Sequence, residues 1–474
     1  MKKQLFFDDC KLFSHDNAIR KCGKPEVVAT YIDDACSTDH CTGYVFQLDN
    51  GKYRMLYMGH SKKFKGLKLF AAISNDGVHF SPEEIYSTKT NPEKMFSHEV
   101  MSLPVGWEIA HIYEDKLSAN PKERYKLLMA ELYENERSMK DTVYISENLL
   151  DWTIKQDISW ANGAEPLASV FYNKQKKTYT IIERPFWGIR SVGFKETKDW
   201  ENFSEFNYCL EADSNDERLA EIYGMYAFEY DGMYIGVPHI YHHLKSELNA
   251  KYKNGIIDTQ LAYSYDGRYW KRSLREPFIS GLSFDKDSGI TKHNLSWVTN
   301  MQKLSDENIY LYGSASELEH GPAFHESETG KIFVYKMRKD GFISLVTENK
   351  KEPSVIATRE KVWHGGELHF NIKAKKATVA VYISDEGDTV VGNLLGFSRL
   401  IDGFSHEDCI EFSGNCLDWI PQYKSGKKIS DLIGKTLVFE LKFEDGEVYS
   451  LCGDYTDVSN TQAARYRKFG VLPE

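Results

Sequence analysis

Apolar and polar residues alternate along most of this chain in short runs, the period-two signature of strands with one face against a core. Five of these runs rise from a tyrosine just after a turn cue: Gly51-Lys-Tyr-Arg-Met-Leu-Tyr57, Glu123-Arg-Tyr-Lys-Leu-Leu-Met129, Lys177-Thr-Tyr-Thr-Ile-Ile182, Gly232-Met-Tyr-Ile-Gly-Val237 and Asn308-Ile-Tyr-Leu-Tyr312. The tyrosines Tyr53, Tyr125, Tyr179, Tyr234 and Tyr310 lie 72, 54, 55 and 76 residues apart. A second cue follows each run. It is a turn that ends in an aromatic residue, closing at Phe80, Trp152, Trp200, Trp270 and, more weakly, at Phe342 after Asp340-Gly341. Asp-Gly suits such turns because both central positions tolerate positive φ. Two independent cues recurring in the same order predict an all-β chain whose residues 1–346 form a five-bladed β-propeller.

The pattern changes after the polar stretch 347–353. Leu437, Phe439, Leu441 and Phe443 share one strand face, and Glu444-Asp-Gly446 turns into a further alternating run. Short strands without the tyrosine period predict a β-sandwich over 354–474.

Composition narrows the function. The chain has 474 residues, 41% of them hydrophobic, and a formal charge of −11 with no basic block. That balance argues against nucleic-acid and anionic-membrane partners. No run has the length of a membrane span or the form of a signal peptide, which points to the cytoplasm. The eight cysteines include no Cys-x-x-Cys pair, so neither a disulfide framework nor a zinc site is expected. His242 and His243 are adjacent and point to opposite faces of any strand, so no metal is expected there and no cofactor is needed. An aromatic share of 14%, with 29 tyrosines, suits both strands and sugar-stacking surfaces.

In a propeller the innermost strand of each blade lines a central channel and precedes the hairpin. Counting back 13 or 14 residues from the five tyrosines reaches Asp39, His111, Glu165, Glu221 and Trp297. Carboxylates that converge on one cavity repel one another and lose water, which separates an acid from a base. Cleaving a glycosidic bond requires such a pair. Asp33 and Asp34 compete with Asp39 for the blade-one role, and Asp34 is also a candidate for binding substrate. Glu183, Arg184, Arg190, His111 and Trp297 complete the substrate-binding candidates, the arginines because they hold hydroxyls or acidic groups. His98, Glu99 and the run His239-Ile-Tyr-His-His243 could line the mouth, and Trp107 and Trp187, like Trp297, could stack on sugar faces.

Five blades, a closing sandwich, and acids on blades one, three and four resemble the superfamily of five-bladed glycoside hydrolases. That superfamily includes the invertase and fructan-hydrolase family and the arabinanase and xylosidase family. The resemblance implies that Asp39 is nucleophile or general base, that Glu165 stabilises the transition state or orients its neighbour, and that Glu221 is the general acid. The chain departs from the invertase pattern in lacking Asn-Asp-Pro-Asn, and it carries Ala164-Glu-Pro166 where that family has Arg-Asp-Pro. The implied activity is hydrolysis of a terminal furanosyl unit, fructosyl- or arabinosyl-like, from an oligosaccharide. Two rivals stand beside it: a phosphorolytic enzyme using Arg184, Arg190 and the histidines for phosphate, and a non-catalytic sugar-binding propeller. The sandwich offers a surface for self-association.

Overall fold

The computed structural model describes the chain except residues 87, 88, 90, 132–139, 160–163, 186, 187, 244–254, 281–294, 322–327, 385–397, 473 and 474. At 131, 140, 141, 157–159 and 164–167 it describes the backbone alone. The structure is all-β apart from two short 3₁₀ turns and one α-helix among the described residues. It divides into two compact units, residues 24–337 and residues 1–23 together with 338–474.

The larger unit consists of five successive antiparallel meanders. Blade one has its innermost strand in two pieces, Ser37–Thr38 and Tyr44–Gln47, followed by Tyr53–His60 and Lys68–Ser74. Blade two runs Trp107–Glu114, Tyr125–Glu131, Lys140–Ser146, Thr153–Ser159. Blade three runs Ala164–Asn173, Thr178–Pro185, Val192–Thr197, Asn207–Leu210. Blade four opens with Glu221–Tyr230 and Met233–His243 and ends with Ala262–Ser264 and Lys271–Arg272. In blade five the inner pieces Leu295–Ser296 and Asn300–Gln302 pair with Asn308–Ser316, which leads to Lys331–Arg338. The tyrosine-led runs are thus the second strands of the blades.

The meanders form a closed ring. The last strand of blade five is Glu26–Tyr31, from the other end of the unit's sequence, with Ile332 opposite Tyr31 and Phe333 opposite Thr30. The innermost strands of blades two, three and four contact one another in sequence, as do those of blades five and one. The Tyr44 hydroxyl of blade one reaches the Ala110 carbonyl of blade two at 3.4 Å. Apolar clusters fill each seam, for example Phe171, Ile182, Ile222 and Trp270 between blades three and four.

The same local chemistry builds the turn before the outer strand in blades one to four. A hydroxyl accepts the amide hydrogen three residues on, as in Ser74–Gly77 (2.9 Å), Ser146–Leu149 (3.0 Å), Thr197–Trp200 (3.0 Å) and Ser264–Gly267 (2.9 Å). The side chain two residues after the hydroxyl accepts from the next turn's amides, as Asp76 does from His79 and Asp266 from Tyr269. The fourth position is left-handed in all four, with φ of 75°, 67°, 62° and 75°. Trp200 therefore occupies the position that glycine fills in blades one and four. The expected fifth copy at Arg338–Phe342 is not a blade turn. Asp340 accepts from Lys3 at 2.7 Å and from Ser450 at 2.6 Å, all within the smaller unit.

The smaller unit corrects the boundaries read from sequence. Its first 23 residues are not part of the propeller. Lys2–Gln4 pairs with Glu447–Asp457, Leu12–Asp16 with Ser354–Thr358, and Ala18–Cys22 with Ile343–Thr347. The division falls at 337/338 rather than in the stretch 347–353. The 24-residue strand Lys361–Ser384 pairs with Glu447–Asp457 along its first half and with Thr436–Glu444 along its second, bending through several bulges. A strand that changes partners in this way turns the corner of a sandwich. Leu437, Phe439, Leu441 and Phe443 face its core beside Trp363, Phe370 and Val379. A helix at Asn460–Phe469 follows, set by a Ser459–Gln462 capping box and ended by Gly470 at φ 68°. No helix among the described residues is long and apolar enough to cross a membrane.

Candidate functional site

The first residues of the innermost strands carry the ionisable side chains. In blade one the inner strand is broken between Thr38 and Tyr44, and Cys41 takes a left-handed φ of 49°. The break presents Asp39 and His40. The Asp39 amide donates to the Met58 carbonyl (3.0 Å), fixing the backbone, and Asp39 Oδ1 lies 3.0 Å from His40 Nδ1 and 3.9 Å from His60 Nδ1. From blade two, Glu108 brings Oε2 to 3.6 Å from His40 Nε2. Burial works against charge on His40, but Asp39 and Glu108 outweigh it and push the imidazole up to about 9. The three side chains hold ligand-capable atoms all within 4.8 Å of one another.

In blade four Glu221 opens the inner strand opposite Tyr241. Arg190 Nη1 donates to its Oε2 at 2.6 Å, and His243 Nε2 is 2.8 Å from the same oxygen. Burial raises the Glu221 carboxyl, yet Arg190 and His243 hold it below the ordinary glutamate value. Arg184 of blade three is buried, donates to the Tyr223 carbonyl (3.0 Å), and lies 4.3 Å over the Tyr223 ring. Arg190 stands 5.6 Å from that ring and 5.2 Å from Tyr241. His320 Nε2 is 2.7 Å from the Tyr223 hydroxyl. His40 is 6.4 Å from the Tyr223 ring and 5.9 Å from Trp297, so one aromatic floor underlies both carboxylate groups.

Of the expected residues, the structure brings Asp39, Glu221, Arg184 and Arg190 to this mouth. The side chain of Glu165, and Trp187, lie outside the described residues; the Glu165 backbone is opposite Arg184. His111 sits deeper, paired opposite Leu128, with its ring 5.4 Å from Tyr44 and 6.3 Å from Tyr226. Burial alone lowers it to about 3, so it is a neutral core histidine. The count from Tyr125 fails because residues 115–124 connect the first two strands of blade two, whereas Asp231 and Gly232 suffice in blade four. Glu108 holds the mouth position instead.

Glu183 neighbours Arg184 on one strand and therefore points to the other face. It pairs with Lys195 at 2.6 Å in a buried site, where loss of water raises its carboxyl above the usual range. Asp34 is exposed on the surface. Asp33 beside it is buried and accepts from Tyr57 (2.6 Å), His98 (3.0 Å) and the Ala35 amide (2.8 Å), a latch between the ring-closing strand and blade one. Trp297 has no exposed surface and is floor rather than a stacking face. Glu99 is consumed by Lys68 at 2.6 Å. Below the floor the channel narrows to a cavity of about 10 Å³ lined by Tyr44, Ala110, Ala168, Met225 and Val298, room for a single water.

The sequence reading passed over His40, Glu108 and Tyr223, whereas His243 belongs to the run His239–His243 expected at the mouth. Two of them carried a usable signal: His40 adjoins Asp39, and Glu108 is the first charged residue of the blade-two inner strand.

No family profile matches the chain, and no curated protein matches it. Solved structures do. It is similar to an N-acetylgalactosamine deacetylase from F. plautii in complex with blood group B trisaccharide: 12% identity, 69% of this chain and 97% of that chain covered, TM-score 0.44. It is similar to a β-1,2-mannobiose phosphorylase from Listeria innocua, at 11% identity over 65% and 92% of the two chains, TM-score 0.43. A thermostable family-43 glycoside hydrolase is similar at 14% identity over 68% and 95%, TM-score 0.42. Likenesses this distant carry no argument about activity.

Proposed function

We propose that the protein is a glycoside hydrolase that removes a terminal furanosyl unit, fructosyl- or arabinosyl-like, from an oligosaccharide at the mouth of the propeller channel. The observation that supports this reading is the gathering of Asp39, His40, Glu108, Glu221 and two arginines on one aromatic floor. The choice of a furanosyl sugar rests on the sequence resemblance.

Asp39, oriented by His40, acts as nucleophile or as base for water, and Glu165 is the third carboxylate of the set. Glu221 is the general acid. Arg190 and His243 favour its ionised form, so it takes up a proton when an arriving glycosidic oxygen displaces one of them. The aromatic rings of Tyr223 and Tyr241 support the arginines that hold sugar hydroxyls.

One observation favours a second reading. Arg184 and Arg190 both lie against Tyr223, and fixed guanidinium groups suit phosphate as well as hydroxyls. The enzyme would then be a phosphorylase. Incubation with a panel of fructosides and arabinofuranosides, with and without phosphate, decides between them. Free sugar without phosphate supports hydrolysis; sugar phosphate formed only with phosphate supports phosphorolysis. Sugar binding with no product under either condition identifies a non-catalytic binding propeller and removes both.

A further inference from the structure

The Asp39–His40–Glu108 group has a geometry that acid–base chemistry at Asp39 and Glu221 does not require. His40 Nδ1 and Asp39 Oδ1 are at hydrogen-bond distance, 3.0 Å, whereas His40 Nε2 and Glu108 Oε2 are 3.6 Å apart. The second separation is too long for a hydrogen bond. It approaches the separation of two donors on one ion, roughly 3.0–3.4 Å for metal–ligand bonds of about 2.1 Å. A histidine that binds metal through one nitrogen normally gives its other N–H to a carboxylate, which fixes the ring and raises its basicity. Asp39 stands where that partner belongs. The donors are nearly enclosed, with 8% of the His40 side chain and 16% of Glu108 exposed, and they come from two blades whose backbones are fixed by the ring.

We propose that His40 Nε2 and Glu108 Oε2 bind a divalent first-row cation at the channel mouth, with Asp39 as the orienting carboxylate. One imidazole nitrogen with carboxylate oxygen suits Zn²⁺ or Mn²⁺ better than Ca²⁺ or Mg²⁺, which take oxygen alone. Two protein donors leave positions open for water or sugar hydroxyls. This goes beyond the proposed reaction and does not depend on it. It also departs from the expectation, drawn from the cysteine spacing and from His242 and His243, that the chain holds no metal.

The test is calorimetric titration of EDTA-treated, dialysed protein with ZnCl₂ and with MnCl₂, alongside metal content after gel filtration. One equivalent per chain is expected for the wild type. Binding should be lost in His40→Ala, weakened at least 100-fold in Glu108→Gln, weakened about 10- to 100-fold in Asp39→Asn, and unchanged in the exposed control His79→Ala. Circular dichroism establishes which variants fold, and Glu108→Gln, the least buried of the three, decides if His40→Ala does not. Absence of wild-type binding, or equal binding by a folded Glu108→Gln, overturns the assignment.

Discussion

Two histidines on neighbouring inner strands show what depth in the channel does. His40, at the mouth, lies between Asp39 and Glu108 and is pushed up to about 9. His111, further down, meets the rings of Tyr44 and Tyr226 and is driven to about 3 by burial alone. Both are buried. The difference is the presence of carboxylates beside His40, at the end of the channel where the inner strands begin. On the proposed reading, reaction chemistry sits at the strand starts, while the waist is packed with apolar and aromatic side chains.

The largest expected effect breaks the mouth. Glu221→Gln and Asp39→Asn should each cut turnover by roughly 10³-fold, within the range for a lost acid or base, while His111→Leu leaves turnover near wild type. Next in size, Trp297→Ala should cost about 3–5 kcal/mol in a denaturant melt, the usual cost of emptying a fully buried aromatic site.

The two histidines should also give opposite pH dependences of stability. His40 is raised in the folded state, so its contribution is complete below the ordinary value near 6.5 and is lost as pH rises through about 9. The advantage of wild type over His40→Gln should shrink across that window. His111 is lowered, so the folded protein refuses its proton, and stability falls as pH drops from 6.5 towards about 3. His111→Leu should remove that loss. The smallest effect belongs to Arg190→Met. Without its guanidinium the Glu221 carboxyl moves upward, and because the general acid must be protonated this shifts the basic limb of the pH–rate profile to higher pH, readable in kcat/KM against pH.

The blades were legible because their information is local. A tyrosine-led alternating run and a hydroxyl-x-Asp turn are each complete within about ten residues. The placement of residues 1–23 was not legible, since Lys2–Gln4 and Ala18–Cys22 find their partners more than 300 residues away. The count from the tyrosine reaches Asp39 and Glu221 at the starts of their inner strands because short hairpins keep it constant. Glu108 was missed because a longer connection in blade two moved the count to His111. Glu183 was misread through strand parity, being next to Arg184 and so on the opposite face. The Arg190–Glu221–His243 group joins three segments of chain, which no spacing rule reports.

Steady-state turnover of Glu221→Gln and His111→Leu, measured side by side on the best furanoside substrate of the wild type, tests the confinement of chemistry to the mouth most directly. The account predicts that Glu221→Gln loses roughly three orders of magnitude in kcat while His111→Leu keeps wild-type kcat at neutral pH. Near-normal turnover by Glu221→Gln, or an equal loss in a folded His111→Leu, would contradict it.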